Sequence, residues 1–246
     1  MVRVLGRIAC RIACAAAVFA VASATAQAAP ISMSVRTVSG AYYGGTFEGT
    51  LNPDGITYSA AGSGGNVTFG VDWSVAYEED PFYLANFTIV NTSTSTQQFV
   101  LSVSLPVSPQ IPGSSVMGGY FGQVTYTDTS LNSTVQINTV GSTPFFVPSI
   151  DGVDVQNLGI FTATAGGGPG VSGTVSQLAF GTPIPSAPGP AVLTNIGGVV
   201  TFELTPGDRA VFPIYFEVQP VPEPMAALLV GLGIAGLAVI RQRRSN

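Results

Sequence analysis

Apolar and polar residues alternate with a period of two through most of this chain, and this alternation is the strongest constraint on its fold. Two segments show it most clearly, with aligned residues Ile31, Met33, Val35 and Thr37 in the first and Val67, Phe69, Val71, Trp73 and Val75 in the second. Because successive side chains of a strand point to opposite faces, each segment predicts a half-buried β-strand. No stretch between the two ends of the chain sustains the i, i+3, i+4 spacing of an amphipathic helix. The sequence therefore predicts an all-β fold.

Turn-forming residues separate the predicted strands. The chain has 30 Gly and 18 Pro, which supply frequent turns. A hairpin is predicted around the polar stretch 91–96, and a tight turn at 205–208 joins the last two strands in a final hairpin. Further strands are predicted at 82–90, 99–105, 119–127, 134–140, 159–165, 173–180, 198–204 and 210–218. Together these segments predict a single antiparallel β-sandwich, immunoglobulin-like or jelly-roll-like, over residues 29–220.

The ionisable residues exclude several kinds of chemistry. The chain has no His and no Lys, and its two cysteines, Cys10 and Cys14, lie near the start. Serine–histidine triads, thiol nucleophiles and imidazole or thiolate metal sites are therefore excluded from the body. Residues 30–220 hold 12 acidic residues and two Arg, a net charge of −10 that opposes binding to nucleic acid. We expect no enzymatic activity; the alternative is a carboxylate-based glycosidase using Glu203 and Glu217 on the last two predicted strands.

The first 28 residues have the organisation of a secretory signal peptide. Three arginines come first, at Arg3, Arg7 and Arg11. An apolar stretch follows over residues 12–22, and the small residues Ala26 and Ala28 form the pattern that signal peptidase recognises. The sequence therefore predicts an exported protein whose residues 1–28 form a cleaved signal helix.

The last segment of the chain, residues 221–246, combines a proline-rich motif, an apolar run and a basic end. Residues 225–240 carry no charge, and the arginines Arg241, Arg243 and Arg244 follow them. A run of this length is short for a spanning helix, which usually needs about 20 residues. The arginines orient such a transmembrane helix with its basic end in the cytoplasm and the body outside. A permanent anchor and a buried terminal helix are the alternatives to a removable signal.

The proline-rich motif, the short helix and the arginine cluster resemble the PEP-CTERM sorting signal of exported bacterial proteins. The resemblance implies that Pro222, Glu223 and Pro224 are recognised by exosortase, a membrane-embedded transpeptidase, and that the run from Met225 is a transient membrane anchor. The two prolines keep this motif extended and accessible, because proline cannot join a helix or a strand ladder. The resemblance also implies a Gram-negative, polysaccharide-producing, biofilm-forming host. The protein would then pass through the inner membrane to the outer surface or the extracellular matrix.

Two acidic segments are candidate calcium sites. Glu78, Glu79 and Asp80 are adjacent, and Ca²⁺ takes six to eight oxygen ligands. A solvated turn between strands is the alternative for this segment. Residues 151–154 have Asp-Gly turn character and only a weak likeness to a calcium loop, because the alternating oxygen ligands and closing Glu of an EF-hand are missing. Otherwise we expect no cofactor.

Aromatic residues provide a candidate carbohydrate site. The side chains of Tyr42, Tyr43, Tyr83 and Tyr120 are the rings that we expect to stack on sugars. The alternative is burial in the core, as expected for Trp73, which is in phase with its apolar neighbours. The sequence therefore predicts a non-enzymatic exported surface or matrix protein associated with exopolysaccharide or biofilm. A carbohydrate-binding module for exopolysaccharide is the first alternative, and the glycosidase is the second.

Overall fold

A computed structural model of the protein describes residues 30–78, 81–120, 124–130, 132 and 134–221. The predicted signal peptide and the predicted sorting signal beyond Val221 lie outside the described residues. Within the described residues, no helix has the length and apolar character needed to cross a membrane.

The described residues form 18 strands. In chain order they are β1 (Ile31–Thr37), β2 (Tyr42–Phe47), β3 (Thr50–Leu51), β4 (Tyr58–Gly65), β5 (Phe69–Glu78), β6 (Phe82–Asn91), β7 (Gln97–Pro106), β8 (Ser114–Tyr120), β9 (Val124–Thr127), β10 (Thr134–Asn138), β11 (Phe146–Ile150), β12 (Val153–Asp154), β13 (Thr162–Gly166), β14 (Ser172–Val175), β15 (Leu178–Phe180), β16 (Ala187–Gly189), β17 (Asn195–Leu204) and β18 (Arg209–Pro220).

These strands form two antiparallel sheets. The first sheet has the order β12-β11-β17-β7-β1-β2, with β10 beside β17 and β13 beside β10. The second has the order β14-β9-β18-β6-β5-β4-β3, with β8 also beside β18 and both β15 and β16 paired to β8. The inner faces of the two sheets share one hydrophobic core. The prediction of an all-β fold with antiparallel sheets is confirmed, and the arrangement is consistent with a β-sandwich.

The two-residue alternation determines which side chains enter this core. All four aligned residues of the first segment are buried on β1, as predicted. In the second segment the prediction is correct from Phe69 onward but wrong for Val67, which is 93% exposed. The side-chain oxygen of Asn66 accepts hydrogen bonds from the backbone N–H groups of Thr68 and Phe69, so a turn occupies these residues and β5 begins at Phe69.

Both predicted hairpins are instead crossings between the sheets. β6 pairs with β5 and β18, whereas β7 pairs with β1 and β17 in the other sheet. β17 and β18 are likewise in different sheets. Segments 92–96 and 205–208 are therefore two neighbouring arches that carry the chain over the edge of the core. Turn composition alone does not distinguish an arch from a hairpin, because both need a short polar reversal.

The arches give the molecule two distinct ends. β7 and β18 both begin at the arches and run away from them, to Pro106 and Pro220. Because β1 is antiparallel to β7, its first residue also lies far from the arches. We call the end with the two arches the arch end, and the end where Pro30 and Val221 lie the terminal end. The described chain therefore enters and leaves the fold at the same end.

Candidate functional site

An open groove of about 530 Å³ lies on the outer face of the first sheet, close to the arch end. Its lining residues are Arg36, Thr37, Val38, Gly40, Tyr42, Gln98 and Val100. They come from the end of β1, the β1–β2 turn, the start of β2 and the start of β7. We call it the Tyr42 groove.

Strand register places an aromatic ring and a cation side by side in the Tyr42 groove. Arg36 pairs with Tyr42 on one side and with Val100 on the other, so the three side chains form one row across three strands. Tyr42 is 60% exposed, and Arg36 is exposed too. The row presents an apolar ring face beside the five N–H donors of a guanidinium.

A chain of side-chain hydrogen bonds holds the β1–β2 turn in place. Ser39 Oγ lies 2.8 Å from Thr37 Oγ1 and donates to Gln97 Oε1 at 3.1 Å. Gln97 Nε2 in turn donates to Ser95 Oγ in the first arch at 2.9 Å. Gly40 has φ +96°, a conformation that favours glycine and closes this three-residue turn. The wall of the Tyr42 groove is therefore attached to the arch beside it.

Buried Asn91 connects the two arches. Its side-chain amide donates to the carbonyl oxygens of Ser95, Leu204 and Thr205 at 2.9, 2.9 and 3.1 Å. Its backbone N–H donates to the carbonyl of Asp208, and its own carbonyl accepts from Gly207. One residue thus satisfies backbone groups of both crossings, which would otherwise be buried without partners.

Two buried carboxyl groups lie next to this connection. Ser130 Oγ is 3.0 Å from Asp128 Oδ1 and 3.5 Å from Asp208 Oδ1. Burial raises the pKa of Asp208, and the negative charge of Asp128 raises it further, while a 2.5 Å hydrogen bond from Thr205 Oγ1 acts in the opposite direction. Backbone and hydroxyl donors from the surrounding loops occupy both carboxyl groups, so their role is to fix the arch end.

Tyr43, the second predicted sugar-binding ring, lies on the inner side of β2. Its hydroxyl accepts a hydrogen bond from Trp73 Nε1 and donates to the carbonyl of Ser63 on β4, both at 3.3 Å. Its ring packs directly over Gly64, where a Cβ would overlap it. Tyr43 therefore closes the space between the edges of the two sheets and does not line the Tyr42 groove.

The prediction that Tyr83 and Tyr120 belong to a carbohydrate site is wrong. They are 0% and 1% exposed, and their rings pack against Phe216 and Phe145 respectively. Burial raises the pKa of both hydroxyls. Because neither ring reaches the surface, neither can stack on a sugar. Of the four predicted tyrosines only Tyr42 is both exposed and in a groove; the residues missed beside it are Arg36 and Gln98.

The predicted acidic calcium ligands are only partly described. Glu78 is the last residue of β5 and pairs with Phe82, while Glu79 and Asp80 lie outside the described residues. In the part of the chain that the structure describes, no group of three or more His, Cys, Asp or Glu residues is placed to hold a metal. Calcium binding at residues 78–80 stays a prediction.

The Asp-Gly segment forms the tight turn expected of it. Residues 151 and 152 connect β11 to β12, and both have positive φ, 51° and 77°. The carboxylate of Asp151 accepts hydrogen bonds of 2.7–3.0 Å from the backbone N–H groups of Leu193, Thr194 and Asn195 and from the Thr194 hydroxyl. These donors occupy the carboxylate, which fastens the turn to the chain before β17.

The structure separates the two carboxylates on which the glycosidase alternative depends. Glu203 is on the outer face of the first sheet, between inward Phe202 and Leu204, whereas Glu217 is on the outer face of the second, between inward Phe216 and Val218. The whole core separates them, and packed sheets are already about 10 Å apart. A glycosidase pair must flank one bond at about 5–9.5 Å, so these two residues cannot form it.

Comparison with models of known protein families and with curated proteins finds no match to this chain.

Proposed function

We propose that the protein is a non-enzymatic exported surface or matrix protein that holds exopolysaccharide in the Tyr42 groove. In this proposal residues 1–28 form the signal helix, residues 221–246 carry the sorting signal and its transient transmembrane helix, and signal peptidase and exosortase are partners during processing. The supporting observation is the position of the Tyr42 groove, near the arch end, while the chain leaves the fold at the terminal end. A body attached through its tail would present the groove away from the membrane.

The residues of the Tyr42 groove suit a hydroxyl-rich chain. The exposed face of Tyr42 offers an apolar surface to the C–H groups of a sugar ring. Arg36 and Gln98 provide donors and an acceptor for hydroxyls, and Arg36 also suits the carboxylate of an acidic sugar. Because the groove is open, a long polymer can lie across it without having to enter by its end.

Binding to defined polysaccharides tests this proposal. The probes are alginate, which is acidic, and dextran, which is neutral, measured by affinity electrophoresis of the purified chain. We expect Tyr42→Ala and Arg36→Ala each to weaken binding about tenfold, because removing a central aromatic or arginine contact costs more than 1 kcal/mol. Loss of alginate binding alone in Arg36→Ala would identify an acidic ligand.

Two matched variants serve as controls. Arg209→Ala removes the other arginine of the described body, which is exposed on the second sheet, and so changes the net charge equally. Val199→Ala removes an exposed side chain from the same outer face outside the groove. We expect both to bind like the wild-type chain. Failure of the wild-type chain to bind either polymer, or equal losses in Arg36→Ala and Arg209→Ala, would contradict polysaccharide binding by this groove.

A further inference from the structure

β2 is an open sheet edge. It pairs on one side only, with β1. Its residues, Tyr-Tyr-Gly-Gly-Thr-Phe, include no charge and no proline. Proteins usually protect an exposed edge with charged residues, proline or a covering segment, because its free N–H and C=O groups invite another strand.

Most other sheet edges of the described residues are shorter or lie against another strand. β3 and β12 have two residues each, and β15 and β16 have three each. β13 and β14 lie against each other. β4 pairs with β3 only at Tyr58 and Ser59, so its residues 60–65 also lie at an edge, where the Ser63 carbonyl accepts the Tyr43 hydroxyl. The inner side of β2 contacts β4 through Tyr43, and the outer side of β2 carries the exposed residues Tyr42 and Thr46.

The register of the β1–β2 hairpin shows which backbone groups of β2 are free. Thr37 N–H donates to the Ala41 carbonyl at 2.9 Å, and Ala41 N–H donates to Thr37 Oγ1 at 3.1 Å, so residues 37 and 41 direct their backbone groups toward each other. Hydrogen-bonded pairs alternate along an antiparallel ladder, so Tyr43, Gly45 and Phe47 direct their backbone groups toward β1. Tyr42, Gly44 and Thr46 therefore direct theirs away from the sheet.

We propose that β2 is a self-pairing edge, through which two copies of this chain join their first sheets antiparallel about a two-fold axis at Gly44. This register is the one that uses all three free residues, with Gly44 opposite Gly44 and Tyr42 of each copy opposite Thr46 of the other. Gly44 at the axis adds no side chain to either face of the new strand pair. The same patch on both copies makes a closed, isologous dimer.

Charge favours a second copy as the partner. The body carries a net charge of −10, which opposes most contacts between copies. At this edge, however, exposed Arg36 lies at the Tyr42 end of β2 and exposed Glu48 follows directly after Phe47. Antiparallel pairing places the Arg36 end of each copy beside the Glu48 end of the other, twice. Parallel pairing would place like charges together.

Disulfide trapping tests the register directly. The body has no cysteine, so the full chain carries Cys10→Ser and Cys14→Ser, with Tyr42→Cys and Thr46→Cys added. Directly opposed residues of an antiparallel pair have Cα atoms about 5.5 Å apart, within the range of a disulfide. We expect oxidation in detergent solution to give a covalent dimer on a non-reducing gel.

The single variants are the decisive controls. In either Tyr42→Cys or Thr46→Cys alone, the two thiols of a dimer would be four residues apart along the strands, about 13 Å, which is too far to link. We expect about tenfold less covalent dimer from each single variant. Equal trapping in single and double variants, or no trapping in a double variant whose circular dichroism matches the wild type, would overturn the proposal.

A charge substitution tests pairing without cysteine. Thr46→Lys puts a cation on the open edge, whereas Thr174→Lys makes the same change at an exposed position of β14 on the second sheet. We expect Thr46→Lys to raise the dimer dissociation constant about tenfold in sedimentation equilibrium, since the lysine would lie opposite Tyr42 of the other copy, beside its Arg36, and a cation on an open edge opposes pairing. Equal effects of the two lysines would contradict pairing through β2.

Discussion

At the residue scale, the sequence predicted local turns better than the contacts that hold them. The Asp-Gly dipeptide at 151–152 indicates a tight turn because both residues tolerate positive φ. That its carboxylate binds the chain 42–44 residues later depends on how β11 and β17 pair, which no local pattern contains. Tyr83 was misplaced for a related reason. Its neighbour Phe82 is also aromatic, so alternation alone does not tell which of the two rings is buried.

Asp151→Asn tests the role of this carboxylate. Burial alone would raise the pKa of Asp151, but the hydrogen bonds from Thr194, Asn195 and Leu193 outweigh it and hold the pKa at about 2. Asparagine accepts the same positive φ, so the substitution removes the charge with little backbone strain. We expect a loss of about 1 kcal/mol in the free energy of unfolding at pH 7.

The pH dependence has a definite sign. A carboxyl whose pKa is lowered by folding stabilises the native state above its unfolded pKa of about 4, and this contribution disappears as the pH falls toward 2. Urea unfolding at pH 7 and at pH 2.5 should therefore show a wild-type advantage over Asp151→Asn that shrinks at acid pH. Asp154→Asn, in the same hairpin, is the charge-matched control. A pH-independent difference would contradict a charge-based role.

At the element scale, alternation identified the long strands and missed those rich in glycine or proline. β2, β4 and β11 were not predicted, because Tyr42–Phe47 and Tyr58–Gly65 have few apolar residues and Phe146–Ile150 contains a proline. Predicted strand 173–180 is two shorter strands in the structure, and the described residues of predicted strand 119–127 belong to the end of β8 and to β9. Pro213 lies within β18, opposite Asn86 of β6.

Adjacent glycines on β2 give a matched test of strand packing. A Cβ on Gly44 would lie 2.6 Å from the Met33 carbonyl oxygen and 2.7 Å from the Ser34 Cα, both in the backbone of β1. A Cβ on Gly45 would meet only the Phe47 ring, at 3.8 Å. We expect Gly44→Ala to lower the free energy of unfolding by about 1–3 kcal/mol, because β2 must move away from β1.

Gly45→Ala should leave stability within about 0.5 kcal/mol, and chemical denaturation of both variants measures the difference. Gly44→Ala should also weaken polysaccharide binding, since Tyr42 is positioned by the same pairing with β1. Equal stability of the two variants would show that β2 adapts to the extra methyl group.

At the scale of the whole molecule, the sequence predicted the fold class. The structure adds that the arches lie at one end of the molecule and the described chain termini at the other. The all-β class and antiparallel sheets follow from alternation and turn composition alone. An immunoglobulin-like or jelly-roll-like topology stays a prediction. The sequence could not predict that Pro30 and Val221 lie at the same end of the molecule, because this depends on both arches crossing between the sheets at the opposite end. Only Tyr42 of the predicted sugar-binding rings lies in the groove, because the other three rings are on the inner side of the sheets.

The opposite positions of the arch end and the terminal end limit the conditions under which two copies can pair through β2. Antiparallel pairing points the terminal ends of two copies in opposite directions. Two bodies held upright in one membrane by their tails therefore cannot pair through β2. Pairing through this edge belongs to molecules released from the membrane, as removal of the tail in the proposed sorting step would allow.

Glu223→Ala tests the sorting step and the orientation in one experiment. The substitution alters the predicted recognition motif, so we expect a larger form that stays in the membrane, with the C-terminal peptide detected by mass spectrometry.

In this retained form, Thr94→Cys probes the arch end and Gln110→Cys the terminal end, both at exposed positions. A bulky maleimide that does not cross membranes should label Thr94→Cys about tenfold faster, because the nearby surface shields the terminal end. After extraction into detergent, the two rates should differ by less than about twofold. A wild-type protein that keeps its C-terminal peptide would contradict the sorting step, and equal labelling of the retained variants would contradict the orientation.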